Sequence, residues 1–271
     1  MYVVVTILGV IFGSFINAFI WRLHLKSDPR LKQNSKYSIL NGRSMCPRCK
    51  HILSPIDLVP IFSWLFLRGK CRYCHKPIDI QYPLVEIISG LLFLLSYIYW
   101  PLQFSPWSYL LFSLWLLLLI LFISLSLYDF KYKILPNNLT YLSSVLALIY
   151  VSLYFVHYEH NFAYILSRVL GIIFSSGIFY LIYQISDGKW IGGGDVKLCV
   201  TLGLILGGPL ETILMIFLAS LIGSLLSLIL LLVNKLKKNM TIAFGPLLIA
   251  STFICFFFGP QIINWYTTLV N

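Results

Sequence analysis

Long apolar runs, separated by short polar connections, constrain this chain more than any other feature of its sequence. Most approach the ~20 residues that an α-helix needs to cross the hydrocarbon core of a bilayer. The chain is 59% hydrophobic and only 11% charged, unlike an ordinary soluble domain. The eight runs lie at residues 2–21, 84–100, 107–128, 139–157, 162–185, 196–206, 210–233 and 246–270. Because they are continuous rather than alternating, they predict an all-α polytopic membrane protein with about eight transmembrane helices, not a β-barrel.

The basic residues predict the orientation of these helices. Nearly all of the 20 Lys and Arg residues lie in residues 22–76 or in three later loops that an eight-span arrangement places on the same side. Because cytoplasmic loops carry the Lys and Arg excess, these segments are expected in the cytoplasm and both termini outside. Arg168, inside the fifth run, is the exception. The net charge of +11 is therefore interpreted as a topology signal, and no nucleic-acid partner is expected.

The one long polar stretch predicts the domain organisation. It lies between the first and second runs and holds four of the six cysteines. We expect a first transmembrane helix at residues 1–23, a cytoplasmic four-cysteine segment at 24–83 and a membrane-embedded core at 84–271.

Three consecutive glycines lead directly into an acidic residue where the sixth run begins. Gly192, Gly193 and Gly194 precede Asp195, and glycine permits backbone conformations and close approaches that other residues do not. An ionisable side chain in a membrane helix is costly, so by default it is a functional hypothesis. Asp129 follows the third run. Since the third run is directed inward and the sixth outward, both acids are expected at the cytoplasmic edge.

Two carboxylates held close together can activate water for attack on a peptide carbonyl. Both cannot ionise at once, so the pair shares a proton. Asp195 opens a helix, where the macrodipole favours negative charge, and Asp129 closes one, where the dipole disfavours it. The hypothesis is that Asp129 carries the proton while Asp195 acts as the base. The alternative for each acid is a solvated loop residue, and Asp187 in its turn-like Ser-Asp-Gly string fits that alternative.

The cysteine spacing predicts a metal site. Two C-x2-C pairs are separated by 21 residues, close to the spacing of four-cysteine zinc sites. A closed tetrahedron of thiolates has no open position, so the zinc would be structural. A pair of redox C-x-x-C motifs is the alternative. The four cysteines are Cys46, Cys49, Cys71 and Cys74.

Glu86 is a third acid, at the start of the second run. One interpretation is a helix-start carboxylate that meets the helix dipole. The other is a contact to the active site or to a substrate amine, and the first is slightly favoured.

With these residues in hand, the chain resembles the type IV prepilin peptidases of pilus, type II secretion and competence systems. The likeness covers nearly the whole chain through five ordered motifs. They are GSFIN and WRL at 13–17 and 21–23; PIFSW, RGKC and QYPLVE at 60–64, 68–71 and 81–86; Asp129 with LPN at 135–137; GGGD and KL at 192–195 and 197–198; and FGP at 244–246. His24 and Asn137 depart from the residues that the family often has there.

The resemblance implies both the substrate and a second activity. The substrate would be a prepilin or pseudopilin in the lipid bilayer, cleaved after a glycine at the cytoplasmic face of a bacterial inner membrane. The new N-terminal amine would then be methylated from S-adenosylmethionine. Asn17, Arg22 and Glu86 are candidates for the methyl donor or the amine. Residues expected to support the catalytic Asp129 and Asp195 are Gly192, Gly194, Lys197 and Glu86.

Three other functions remain open at this point. One is a peptidase of the GxGD type, named for a motif that residues 192–195 match, which cleaves without methylating. Another is a membrane thiol oxidoreductase that uses the two C-x-x-C pairs, which leaves the aspartates unexplained. The third is a small transporter with acidic proton relays, although relays need groups spread in depth rather than at one edge.

Overall fold

The computed structural model describes residues 1–27, 42–233 and 242–270. Within these ranges every regular element is helical, apart from two isolated β-bridges in the cysteine segment. The chain forms two compact units, Met1–Tyr99 and Trp100–Asn271. The predicted all-α membrane fold is confirmed, whereas the functional division at residues 23 and 83 stays a prediction.

The first unit holds two long helices and the cysteine segment. Its helices are α1 (Tyr2–Ser27), the short α2 (Phe62–Phe66) and α3 (Gln81–Ile98), with a 3₁₀ turn at Pro55–Leu58. Glycines let α1 and α3 approach closely. A Cβ on Gly13 would lie 2.7 Å from the Cα of Glu86, and one on Gly90 would lie 2.6 Å from Val10.

The described residues of the second unit form a bundle of seven helices and one π-helical turn, called the π-turn below. Their bounds are α4 (Pro106–Tyr132), α5 (Asn137–Tyr158), α6 (Phe162–Ile172), the π-turn (Ile173–Gly177), α7 (Ile178–Ile185), α8 (Gly193–Leu206), α9 (Pro209–Leu232) and α10 (Gly245–Val270). The π-turn joins α6 and α7 into one 24-residue apolar helix.

Seven of the described helices are long and apolar enough to cross a membrane. The sixth predicted run is different, because α8 has only 14 residues and therefore spans about 21 Å. Its C-cap is Gly207, whose φ of 87° is open to glycine but not to most other residues. The short helix is largely buried among its neighbours, which suits a helix that carries a functional side chain rather than one that faces lipid.

Small residues and hydroxyls fix α8 in the bundle. A Cβ on Gly203 would overlap Ser175 and the carbonyl of Gly171, so α6 and α8 are in backbone contact there. Ser175 also donates to the carbonyl of Cys199 at 2.9 Å. Ser144 hydrogen-bonds Thr201 at 2.7 Å and links α5 to α8. Small residues and hydroxyl donors of this kind are the usual means of packing helices in lipid.

Arg168, the exception to the charge pattern, has a structural explanation. Its Nη1 donates to the carbonyls of Leu204 and Ile205 at the C-terminal end of α8. Its guanidinium lies 4.4 Å from the ring centroid of Tyr164. A cation at a helix C-terminus satisfies terminal carbonyls and complements the dipole. The charge therefore belongs to the packing of α8 and not to membrane topology.

Candidate active site and metal centre

Asp129 lies in the last turn of α4 and is only 7% exposed. Its Oδ2 accepts a hydrogen bond of 3.2 Å from the amide of Gly245, the first residue of α10. Because Gly245 opens that helix, its N–H has no partner within α10 and is free to bind the acid. A Cβ on Gly245 would lie 2.8 Å from the same oxygen, so a side chain there would displace the carboxylate.

Asp195 lies in the first turn of α8, as the glycines before it predict. Gly192 is the N-cap, and its carbonyl accepts from the amide of Asp195 at 3.0 Å. Gly194 is needed for contact, since a Cβ there would lie 2.9 Å from the Cβ of Leu135. The helix start therefore packs closely against the segment that leads into α5, and Asp195 is half-buried at that point.

The fold brings the two acids together. Asp129 ends α4 and Asp195 begins α8, and their carboxylates are close enough to repel each other electrostatically. This proximity is the relationship expected from the inward third run and the outward sixth. A pair of this kind can share one proton between its members.

Lys197 hydrogen-bonds to Asn137 and not to either of the two acids. Its Nζ donates to Oδ1 of Asn137 at 2.8 Å and lies 5.5 Å from the ring centroid of Tyr141. The contact joins α8 to the start of α5 close to Asp195 in sequence. Asn137 departs from the family pattern, and here it accepts from the lysine as a neutral amide.

The four cysteines converge in the first unit. Their sulfur atoms all lie within 4.8 Å of one another, and Cys46 Sγ is 4.0 Å from Cys74 Sγ. Zinc–sulfur bonds of ~2.3 Å in a tetrahedron separate the sulfurs by about 3.8 Å. The donor set and its spacing thus fit a four-coordinate metal. Cys46 and Cys71 are buried, whereas Cys49 is exposed.

Two matching turns present these sulfurs. The amides of Lys50 and His75 donate back to the carbonyls of Cys46 and Cys71, at 2.8 and 2.9 Å. Lys50 and His75 both have positive φ, 58° and 53°. Burial opposes ionisation of the Cys46 thiol, but turn amides of the first knuckle lower its pKa below the ordinary value. At Cys46, therefore, the turn favours the thiolate that a metal needs.

Asp57 ties the segment before α2 to the second knuckle. It accepts from Arg72 at 2.7 Å and from the hydroxyl of Ser54 at 2.8 Å. Although burial opposes ionisation of Asp57, the hydrogen bonds from Ser54 and Arg72 hold the pKa of its carboxyl below the usual value. The pair is partly exposed, so it fixes local geometry more than it adds stability.

Glu86 does not lie at the start of its helix. The helix α3 begins at Gln81, so Glu86 falls beyond the first turn and does not meet the helix dipole there. The helix-start interpretation is therefore wrong, because polar residues before the apolar run are also helical. Its Oε2 instead accepts from the backbone amide of Ile61 at 2.7 Å. Sequence spacing gave no signal for this contact.

The other two methyl-transfer candidates lie on α1. Asn17 donates to the carbonyl of Tyr82 at 3.2 Å and is 5% exposed. Arg22 is 7% exposed. The observed bonds of Asn17 and Glu86 hold α1, α3 and the cysteine segment together. Their role in methyl transfer stays a prediction.

The second unit thus defines a polytopic helical protein with a carboxylate pair at one end of the bundle, and the first adds a four-cysteine cluster. Two family models match the chain: the Bacterial Peptidase A24 N-terminal domain at residues 7–100 and the Type IV leader peptidase family at residues 115–228. No solved structure matches it.

Relatives with closely similar sequences carry one name, prepilin leader peptidase/N-methyltransferase. The protein of Pectobacterium carotovorum subsp. carotovorum is 32% identical over 89% of this chain and 87% of its own length. That of Neisseria gonorrhoeae is 32% identical over 97% and 93%. That of Pseudomonas aeruginosa is 32% identical over 96% and 91%. The chain therefore belongs to the type IV leader peptidase family, and the resemblance drawn from its motifs is confirmed.

Proposed function

We propose that this chain removes the basic leader of type IV prepilins or pseudopilins, after a glycine, at the cytoplasmic face of a bacterial inner membrane. A second step methylates the new N-terminal residue. Family membership supports the reaction class. The observation that carries the proposal is the approach of Asp129, at the end of α4, and Asp195, at the start of α8.

The chemistry is a two-aspartate activation of water. Asp195, at a helix N-terminus where the dipole favours charge, removes a proton from water. The resulting hydroxide attacks the glycine carbonyl carbon while protonated Asp129 donates its proton to the carbonyl oxygen. The tetrahedral intermediate collapses as Asp195 passes its proton to the leaving amine and Asp129 recovers its own. Because Oδ2 of Asp129 accepts from Gly245, the shared proton is assigned to Oδ1.

The distribution of charge supports the cytoplasmic face. Lys131 and Lys133 lie at the end of α4 beside Asp129, and Lys189 and Lys197 flank the start of α8. Positively charged residues mark the inner side of a membrane protein. A prepilin leader that remains in the cytoplasm would present its cleavage site at this level.

The metal of the cysteine segment is proposed to be structural zinc. Cys46, Cys49, Cys71 and Cys74 would complete its coordination and leave no position for a substrate. The ion would stabilise the fold of a segment whose described part contains only short helical turns and two isolated β-bridges.

The methyl donor is proposed to be S-adenosylmethionine, which supplies an electrophilic methyl group to an amine. The names of the relatives support this second activity. Asn17 and Arg22 on α1 and Glu86 on α3 are the proposed contacts to the donor or to the amine. A peptidase that does not methylate is the alternative that the experiment must separate.

The test uses the full-length chain in proteoliposomes with a model prepilin that carries a Gly-Phe cleavage site. Mass spectrometry follows loss of the leader, and labelled S-adenosylmethionine follows methyl transfer. We expect leader removal and one methyl group on the new N-terminus. Cleavage without transfer of the labelled methyl group would indicate a peptidase that does not methylate. Failure to cleave any prepilin-like substrate would overturn the proposal.

A further inference from the structure

The helix α2 exposes one face that is almost wholly apolar. Phe62, Leu65 and Phe66 are 60%, 57% and 83% exposed, and their i, i+3, i+4 spacing puts them on one side of the helix. The remaining aromatic side chain, Trp64, faces inward and donates from Nε1 to the carbonyl of Ile78 at 3.3 Å. The helix therefore already packs against the first unit through Trp64, and its exposed apolar face lies on the other side.

The packing of Trp64 fixes which face points outward. A Cβ on Gly69 would lie 3.0 Å from the Trp64 ring, and Gly69 has a positive φ of 68°. The turn after α2 thus folds over the indole. Rotating α2 to bury Phe62, Leu65 and Phe66 would break the hydrogen bond from Trp64 to Ile78.

The contact between Glu86 and Ile61 sets the depth of α2 relative to the bilayer. The helix α3 has 18 residues and is about 27 Å long, slightly less than the ~30 Å thickness of the hydrocarbon core. To span the membrane it must use its whole length, which puts Gln81 at the boundary of the hydrocarbon core and Glu86 about 7.5 Å deeper along the helix. The 2.7 Å hydrogen bond from the amide of Ile61 to Glu86 therefore holds the start of α2 at that boundary or on its hydrocarbon side.

The backbone at Ile61 indicates that this position is enforced. Its φ is 62°, an uncommon conformation for a β-branched residue. Such strain persists only where the surroundings impose it. Here the bond to Glu86 and the turn into α2 impose it.

Two basic residues lie close in sequence to the apolar face. Arg68 and Lys70 follow α2 directly and are exposed. Anionic headgroups attract cations of this kind near a membrane surface. An apolar face with adjacent basic residues is the pattern of a helix that lies in the interface plane.

We propose that α2 is an interfacial anchor, in which Phe62, Leu65 and Phe66 insert at the boundary between headgroups and acyl chains while Arg68 and Lys70 contact anionic headgroups. The partner is the lipid surface, because the depth set by Glu86 puts acyl chains, and not water, beside this face. The anchor holds the cysteine segment against the membrane. It acts independently of the proposed cleavage reaction.

The test replaces Phe66 with the photoreactive benzoylphenylalanine in the full-length chain. The chain is reconstituted in nanodiscs that contain phosphatidylglycerol and phosphatidylcholine, and products of irradiation are identified by mass spectrometry. We expect phospholipid adducts at position 66. The matched control is the same replacement of Tyr73, an aromatic residue of the second knuckle that is 39% exposed, and it should yield at least fivefold less lipid adduct.

Further outcomes are each decisive. Adducts of position 66 to a second copy, to co-reconstituted prepilin or to buffer alone would overturn the lipid assignment. Arg68→Gln with Lys70→Gln should lower lipid adducts at position 66 at least twofold in anionic nanodiscs, and an unchanged yield would contradict the role of the basic pair. Glu86→Leu should lower the yield similarly, and an unchanged yield would contradict the tether.

Discussion

The amide of Gly245 donates to Oδ2 of Asp129 across 116 positions of sequence. Through this bond, the first residue of α10 helps to position the carboxylate at the end of α4. The bond commits one oxygen of Asp129 to the protein and leaves the other for the proposed reaction. Two helix ends therefore cooperate to orient a single carboxylate.

Gly245→Ala should lower the rate of prepilin cleavage by about a hundredfold, because a misplacement on the order of 1 Å at a catalytic group has effects of that size. The added methyl group would press on Asp129, with a Cβ 2.8 Å from its Oδ2. Gly259→Ala in the same helix is the matched control, since its Cβ meets only Glu211 and Cys255 at 3.7 and 3.8 Å. Cleavage by the control should stay within about twofold of wild type. Equal activity of the two variants would contradict the positioning role of Gly245.

Gly203→Ala should destabilise the bundle. The new Cβ would overlap Ser175 and the carbonyl of Gly171, and neither backbone can move without separating α6 from α8. Overpacking of this kind costs about 1–3 kcal/mol. Thermal unfolding in detergent, followed by size-exclusion chromatography, should show a lower midpoint. Gly177→Ala meets only Ile173 at 3.9 Å and should unfold like wild type; a normal midpoint for Gly203→Ala would refute the backbone contact.

Arg168→Met should also lower the unfolding midpoint, because it removes the donors to the carbonyls of Leu204 and Ile205. Hydrogen bonds from charged groups contribute about 1.5–3 kcal/mol each. Arg168→Lys should recover part of the loss, while Lys189→Met, at an exposed position, should be neutral. If Arg168→Met matched Lys189→Met, the cation would not be capping α8.

Measuring the zinc content of the purified protein distinguishes a structural zinc site from a redox-active pair of C-x-x-C motifs. We expect one zinc per chain in the wild type, loss of that zinc in Cys49→Ser and its retention in Cys255→Ser, whose thiol is buried in α10. The metal should also survive mild oxidation, because four thiolates are occupied by one ion. Reversible disulfide formation within the C-x-x-C pairs, with no bound metal, would instead support the oxidoreductase.

The sequence predicted the helical membrane fold, the convergence of the cysteines and the approach of Asp129 and Asp195. These follow from local patterns: apolar length, C-x2-C spacing and the direction in which each run crosses the bilayer. The role of Gly245 was harder to find, because its motif was visible but its partner lies on another helix.

Contacts between distant side chains account for what the sequence could not predict. Arg168 departed from the charge rule, yet nothing near it in sequence identified the end of α8 as its partner. Glu86 was assigned to a helix start because the apolar run, and not the helix, marked the boundary. Its bond to Ile61 depends on the folded path of the cysteine segment.

Cleavage of a model prepilin by Asp129→Asn and Asp195→Asn tests the central claim most directly. Each substitution keeps the shape of the side chain and removes its ability to share a proton. Asp187→Asn is the matched control, because Asp187 is exposed in a turn with a φ of 50° that asparagine tolerates. We predict that both active-site variants insert in the membrane and retain zinc but do not cleave, whereas the control cleaves normally. Substantial cleavage by either Asp129→Asn or Asp195→Asn would contradict the two-aspartate mechanism.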